Sequence, residues 1–316
     1  MSLPLFDDLP GVKGMPKGCA WGVFDKEGKK DRLGTLNLLT SKVVKEAKVE
    51  IQEGESVALD LPLDFLKTPA FGRKKFERRP IANNTANKIS CDDELHINTQ
   101  SCSQWDGHCH FGYKSHNLFY NGVSLDEIMN CENVGIETWV DNGGIVGRGV
   151  LLDYVEYAQK HGIEYSPVDR HEITVKELEE IAQEQGVEFK EGDILIVRSG
   201  LTKWYKESAN VAKFDEGKFV GIEGGIDSAR WFWNKRFAAV AGDTTAFEAW
   251  PPKQFDEHSL HFYLLAMQGM PLGELWNLEK LSEKCKKLGR YTFFLTSAPL
   301  HVIHGIASPP NAIAIF

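Results

Sequence analysis

The 316-residue sequence has no apolar run near the ~20 residues that cross a bilayer. Its longest, such as Phe237–Ala241 and Tyr291–Leu295, are strand-sized, so a membrane span is excluded. It also lacks a dense basic tract. The nearest, Arg73–Lys75 with Arg78–Arg79, reads as a solvated loop. With 36 Lys and Arg against 45 Asp and Glu, the net charge is −9, and nucleic acid is not the expected partner. There is no CxxC pair among the six cysteines (Cys19, Cys91, Cys102, Cys109, Cys131, Cys285), and no basic-then-apolar leader at the N-terminus. Reduced thiols and a cytoplasmic protein are expected. No heptad and no Gly-X-Y period appears, and 42% hydrophobic with 26% charged residues describes a globular protein with a large core.

What is present alternates between helix and strand signals. Residues 1–35 are rich in Gly, Pro and Lys and read as an extended lead-in. Ser41 precedes Val43, Val44 and Ala47, the spacing of a short amphipathic helix ending near Gly54, and Val57–Pro62 follows as a strand. Residues 67–95 are polar and read as a long loop, a candidate lid or an arm exchanged between subunits. Ser124 with Glu127 and Thr174 with Glu177 have capping-box spacing. The second opens a helix whose buried stripe is Val175, Leu178, Ile181 and Ala182, closed by Gly186. Asp193–Val197 and Ala238–Ala241 read as strands covered on both faces, with a helix over Ser228–Phe232 between them. This alternation predicts an α/β fold. With no internal repeat and no linker, residues 1–316 read as one domain.

The densest chemistry lies in Ser101–Phe111. Asp106, His108 and His110 would share one face of an extended segment and form a divalent-metal patch; a surface loop of hydrogen-bonding histidines remains open. His261 and Glu274 flank an apolar stretch holding Gly269 and Pro271; taken alone, a core histidine and a solvated glutamate fit as well. His301 and His304 read as structural, as do Arg148 and Arg198, which suit salt bridges within the fold.

Together these segments resemble the cyclase family of metal-dependent hydrolases, which includes bacterial kynurenine formamidase and isatin hydrolase. The family signature H-x-G-T-H-x-D-x-P-x-H-F aligns with Gln100–Phe111. Asp106, His110 and Phe111 coincide with it; Gln100 and Gln104 replace its first two histidines, and His108 its proline. Gly147–Asp153, Gly192–Gly200, His261–Glu274 and Ser308–Pro309 are similar to further family motifs in the same order. Leu33–Thr40 looks like the fungal-type branch.

The resemblance implies a swivelling β/β/α fold, a mixed sheet flanked by helices, and a homodimer. It implies one divalent ion, Zn²⁺ or Mn²⁺, on Asp106, His261 and Glu274, with His110 as the proton-shuttling residue. Gln104 is then a candidate catalytic residue or weak ligand, since a neutral amide oxygen binds Zn²⁺ less well than imidazole. Gln100, His108, Trp21 and Trp105 are candidate substrate-binding residues, the tryptophans for stacking on an aromatic substrate. The activity implied is hydrolysis, or the reverse ring closure, at an amide, lactam or lactone of a small metabolite. The two glutamines leave two alternatives: a metal-free lyase or isomerase using His110 and Glu274, and a non-catalytic small-molecule-binding protein.

Overall fold

The strands that organise the molecule are those whose side chains are apolar on both faces. A computed structural model describes residues 3–9, 11–130, 134–209, 211–256 and 258–316. Its main sheet uses β1 (Ser56–Ala58), β4 (Gln104–Asp106), β5 (Ile145–Asp153), β6 (Ile194–Arg198), β7 (Ala239–Gly242), β8 (Leu272–Glu274), β9 (Thr292–Ser297), β10 (Ala307–Ser308) and β11 (Ala312–Ile315). A separate hairpin pairs β2 (Glu77–Thr85) with β3 (Lys88–His96).

The sheet order is β1-β11-β9-β5-β6-β7-β8-β4-β10. Its four central strands, β5 to β8, run parallel, and antiparallel strands extend both edges. The expected mixed sheet flanked by helices is what forms. Val150, Leu152, Leu195, Val197, Val240 and Leu272 fill one face. On it lie α4 (Tyr154–His161), α5 (Val175–Glu184) and α7 (Ile226–Asn234), through residues such as Ala158, Leu178, Ile181 and Phe232. The alternate positions, Leu151, Ile194, Ile196, Ala239 and Ala241, pack on the other face against Trp276 and on Leu281 and Cys285 of α8 (Glu279–Leu288). The shorter helices are α1 (Ser41–Ala47), α2 (Leu125–Met129), α3 (Glu137–Asp141) and α6 (Leu201–Glu207).

Both capping boxes form, at Ser124 and at Thr174. The α1 cap is Thr40, whose hydroxyl accepts from the Val43 amide. Arg148 pairs with Asp193 at 2.7 Å, and Arg198 with Asp153 and Glu279 at 2.8 Å each, so both arginines hold the fold together. His301 and His304 face Asp141 and Glu137. Five cysteines are free thiols, and Cys131 lies outside the described residues. Among the described residues no helix is long and apolar enough to cross a membrane.

Two sequence expectations are corrected. The lead-in is packed: Phe6 is fully buried beside Tyr263, Trp233 and Arg236 donate to the Pro4 carbonyl, and Ala20 is tied to Met267. It straps α7 to the segment that carries His261. The second half of 67–95 is not a loop, because Glu77–Thr85 and Lys88–His96 pair in nine register steps. Alternating hydrophobicity is missing there because neither face of the hairpin covers a core. Cross-strand pairs, Arg78 with Asp93 and Arg79 with Glu94, lie along it instead.

Candidate active site

Asp106 and Glu274 reach one place because β4 and β8 pair antiparallel, with Leu272 opposite Asp106 and Glu274 opposite Gln104. Opposed residues share a face, so Gln104, Asp106 and Glu274 project together while Trp105 projects to the other side. Opposite Trp105 stands Gly273, where a Cβ would come within 2.8 Å of the Trp276 indole nitrogen. His261 enters from the residue preceding a π-helix, Phe262–Met267. Its Nε2 lies 3.2 Å from Glu274 Oε1 and 3.6 Å from Asp106 Oδ2. On its other side, Nδ1 is 2.7 Å from Glu248 Oε1.

The two glutamines stand behind the carboxylates. Gln100 Nε2 donates to Asp106 Oδ1 at 2.5 Å. Gln104 Nε2 donates to Gln100 Oε1 at 2.7 Å and to Glu274 Oε2 at 2.5 Å. One oxygen of each carboxylate is thereby engaged. The others, Asp106 Oδ2 and Glu274 Oε1, are buried without a hydrogen-bond donor, as is Gln104 Oε1. An orphaned buried carboxylate oxygen is costly, and here two face the same imidazole nitrogen.

Asp106, His261 and Glu274 offer one ligand atom each, all within 4.8 Å of one another. Two metal–ligand bonds of about 2.0–2.2 Å span the 3.2 and 3.6 Å from His261 Nε2 to the carboxylate oxygens, and two such oxygens with one imidazole suit Zn²⁺ or Mn²⁺. The donor set fits one divalent ion, with coordination positions left open.

The electrostatics agree. Burial, and then the Asp106 carboxylate, push Glu274 up to about 7. Burial opposes a charge on His261, but Asp106, Glu248 and Glu274 outweigh it and hold the imidazole well above its usual value. The cluster thus recruits positive charge. His110 stands at its rim: Nε2 is 3.8 Å from Asp106 Oδ2, and the side chain is 22% exposed. Burial draws its pKa down despite Asp106, favouring the neutral imidazole. Outward from His110 runs a cleft of about 390 Å³ walled by Phe111, Tyr113, Phe119, Leu125 and Phe255.

Three of the candidate substrate-binding residues fall elsewhere. Trp105 is fully buried on the opposite face of β4, edge-on to Trp139 and Trp276. Trp21 is a core residue whose indole donates to the Ala266 carbonyl. His108 does not share a face with Asp106 and His110, because the chain turns after β4 and the His110 amide returns to the Gly107 carbonyl. Its ring packs on Tyr120 and Trp139 beside a separate small cavity that also meets Arg32. Gln100 is 7% exposed and turned to Asp106 rather than to the cleft.

Burial lowers the His108 pKa to about 4. The unfolded chain therefore takes up a proton between pH 6.5 and pH 4 that the folded chain refuses. Stability is full above pH 6.5 and falls by about 3 kcal/mol as pH drops through that window. Urea titrations across it should show a shallower loss in His108→Phe than in the parent; equal slopes would refute this source.

Two residues escaped the sequence. Glu248 accepts from the Leu260 and His261 amides and the Ser259 hydroxyl as well as the imidazole, so it fixes the entry of the π-helix and the ring together. Only a lone acid in an apolar stretch marked it. Arg73, part of the presumed solvated cluster, donates to the Gln100 carbonyl at 2.9 Å.

The Cyclase family model, described as "putative cyclase", matches residues 35–249. Among solved structures, the chain is similar to one described as a novel cyclase, at 29% identity and a TM-score of 0.82, over 94% of this chain and 99% of that one. An isatin hydrolase bound to the product analogue thioisatinate is 17% identical, with a TM-score of 0.58 over 88% and 97% of the two chains. Isatin hydrolase A from Labrenzia aggregata, bound to benzyl benzoate, is also 17% identical, with a TM-score of 0.56 over 89% and 98%. At that identity the isatin hydrolases share the fold. No curated protein matches the chain.

Proposed function

The chain belongs to the Cyclase family, and on that premise we propose that it is a metal-dependent hydrolase of an amide, lactam or lactone bond in a small molecule. The observation that carries this is the pair of donorless carboxylate oxygens, Asp106 Oδ2 and Glu274 Oε1, facing His261 Nε2. Asp106, His261 and Glu274 would hold the ion. When bound, such an ion supplies Lewis acidity that polarises a carbonyl and makes water acidic enough to attack near neutral pH.

The chain's own groups do the rest. Gln100 and Gln104 pin the far oxygens of the two carboxylates, which fixes the direction of the near ones. Glu248 holds the proton on His261 Nδ1, so that Nε2 would be the nitrogen that gives up its proton to ligate an ion. His110, neutral and at the mouth of the cleft, accepts the proton of the attacking water. It then returns that proton to the leaving nitrogen or oxygen. The cleft offers apolar walls to the substrate body. We take residues 1–316 as one catalytic unit working as a homodimer, with the exposed hairpin β2–β3 as the segment that meets the second copy.

The test is elemental analysis of the purified protein together with turnover of a formanilide, a lactam and a lactone, before and after chelation. About one Zn²⁺ or Mn²⁺ per chain and chelator-sensitive turnover are expected. Full activity without metal would overturn the metal-dependent reading; tight metal binding with no turnover would favour a binding protein. Glu248→Gln is expected to weaken metal affinity by about 10–100-fold, because the imidazole loses its orienting carboxylate. Competition against a fluorescent chelator measures this, and unchanged affinity would remove Glu248 from the site.

A further inference from the structure

One charged side chain near the site forms no ion pair among the described residues. Arg73 is half-buried, and one of its nitrogens is engaged by the Gln100 carbonyl. Among the described residues no carboxylate pairs with its guanidinium, which lies 4.9 Å over the Phe71 ring. Two independent chains of contact place it at the rim of the catalytic cluster. Through Gln100, whose carbonyl it holds and whose amide donates to Asp106, it is one residue removed from the carboxylate. Through Phe71 it joins an aromatic row in which Phe71 meets Trp250 at 5.1 Å and Trp250 meets Phe255 at 5.7 Å. Phe255 is itself a wall of the cleft that begins at His110.

That row is built at a cost. Phe71 holds φ +60°, a left-handed conformation that a bulky side chain rarely adopts, and its ring stays 47% exposed. Phe255 is 58% exposed. Apolar rings thus stand open to solvent between His110 and a guanidinium that no described carboxylate pairs with. This pattern suits a ligand that is apolar along its body and anionic at one end.

We propose that Arg73 is the anion-recognising residue of this site, and that the substrate is an acyl compound with a ring-sized apolar body and a carboxylate. The body lies along the aromatic row and the cleft, and the carboxylate takes the free edge of the Arg73 guanidinium as a paired hydrogen-bonding partner. The proposal rests on the hydrolase reading for the identity of the ligand as substrate, but its test does not require turnover.

The test is calorimetric binding of 3-phenylpropionate and of its neutral isostere 3-phenylpropionamide to the metal-loaded protein. The carboxylate is expected to bind at least about tenfold more tightly than the amide. Arg73→Met should erase that difference while leaving amide affinity within about twofold, and Arg73→Lys should restore part of it. Arg73 also steadies Gln100, so a purely structural role would weaken both ligands alike and lower the melting temperature, and that result overturns the proposal. So does a carboxylate preference that survives Arg73→Met, which would mean that the group binds the metal or another cation. Failure of the hydrolase reading shows separately, as absence of turnover of the formanilide, lactam and lactone by the parent protein.

Discussion

Asp106→Asn should lower kcat/KM by about a thousandfold and strip the site of metal. The loss of activity follows from charge. Several kcal/mol of transition-state stabilisation depend on a divalent ion at this place, and every 1.36 kcal/mol is tenfold in rate. Asparagine preserves the size of the side chain and an oxygen for Gln100 Nε2, but it is neutral and a poor ligand. Asp106 is fully buried; burial opposes its charge, but His110 and His261 outweigh burial and hold the carboxyl below its usual range. The charge that the variant loses is therefore one that the folded site favours. Metal analysis and kcat/KM of parent and variant decide it, and a variant that keeps both its metal and its activity would remove Asp106 from the site.

His110→Gln is the second large effect: a fall of about 100- to 10,000-fold in turnover with metal content unchanged, as the proposed role of this side chain is to move a proton and not to ligate. The parent rate should fall only at pH below 6.5, since burial favours the neutral base and acid must overcome that preference. The variant, having lost the titrating group, should lack that acidic limb. Metal analysis and a pH–rate profile of both proteins decide it; a variant that keeps the limb would assign the titration to another group.

Much of this arrangement was legible in the chain, for identifiable reasons. Buried parallel strands announce themselves as uninterrupted apolar runs, so Asp193–Val197 and Ala238–Ala241 correspond to β6 and β7. Capping boxes are local chemistry and form where their spacing puts them. Asp106, His261 and Glu274 were found through motif order, and the structure brings them within reach of one another. Illegible were features fixed by distant contacts. Period-two reasoning put His108 with Asp106, but the Gly107 amide bonds the Ile306 carbonyl and the strand ends there. The same alternation sends Trp105 into the core, since its neighbours on both sides face the site. Glu248 carries no local signature because its partners are amides thirteen residues away or fewer on a separate turn. The hairpin β2–β3 shows no hydrophobic rhythm because none of the described residues covers either of its faces.

The pairing of β4 with β8 has a consequence for how this protein fails. A slip of β4 by one residue along β8 would send Gln104 and Asp106 to the tryptophan side and turn the indole toward the cleft, leaving Glu274 without them. Such a chain would keep its helices and most of its hydrophobic interior, so dichroism and solubility would pass it as sound. Specific activity per molecule, rather than yield of soluble material, is then the honest gauge of whether a preparation has reached its native alignment.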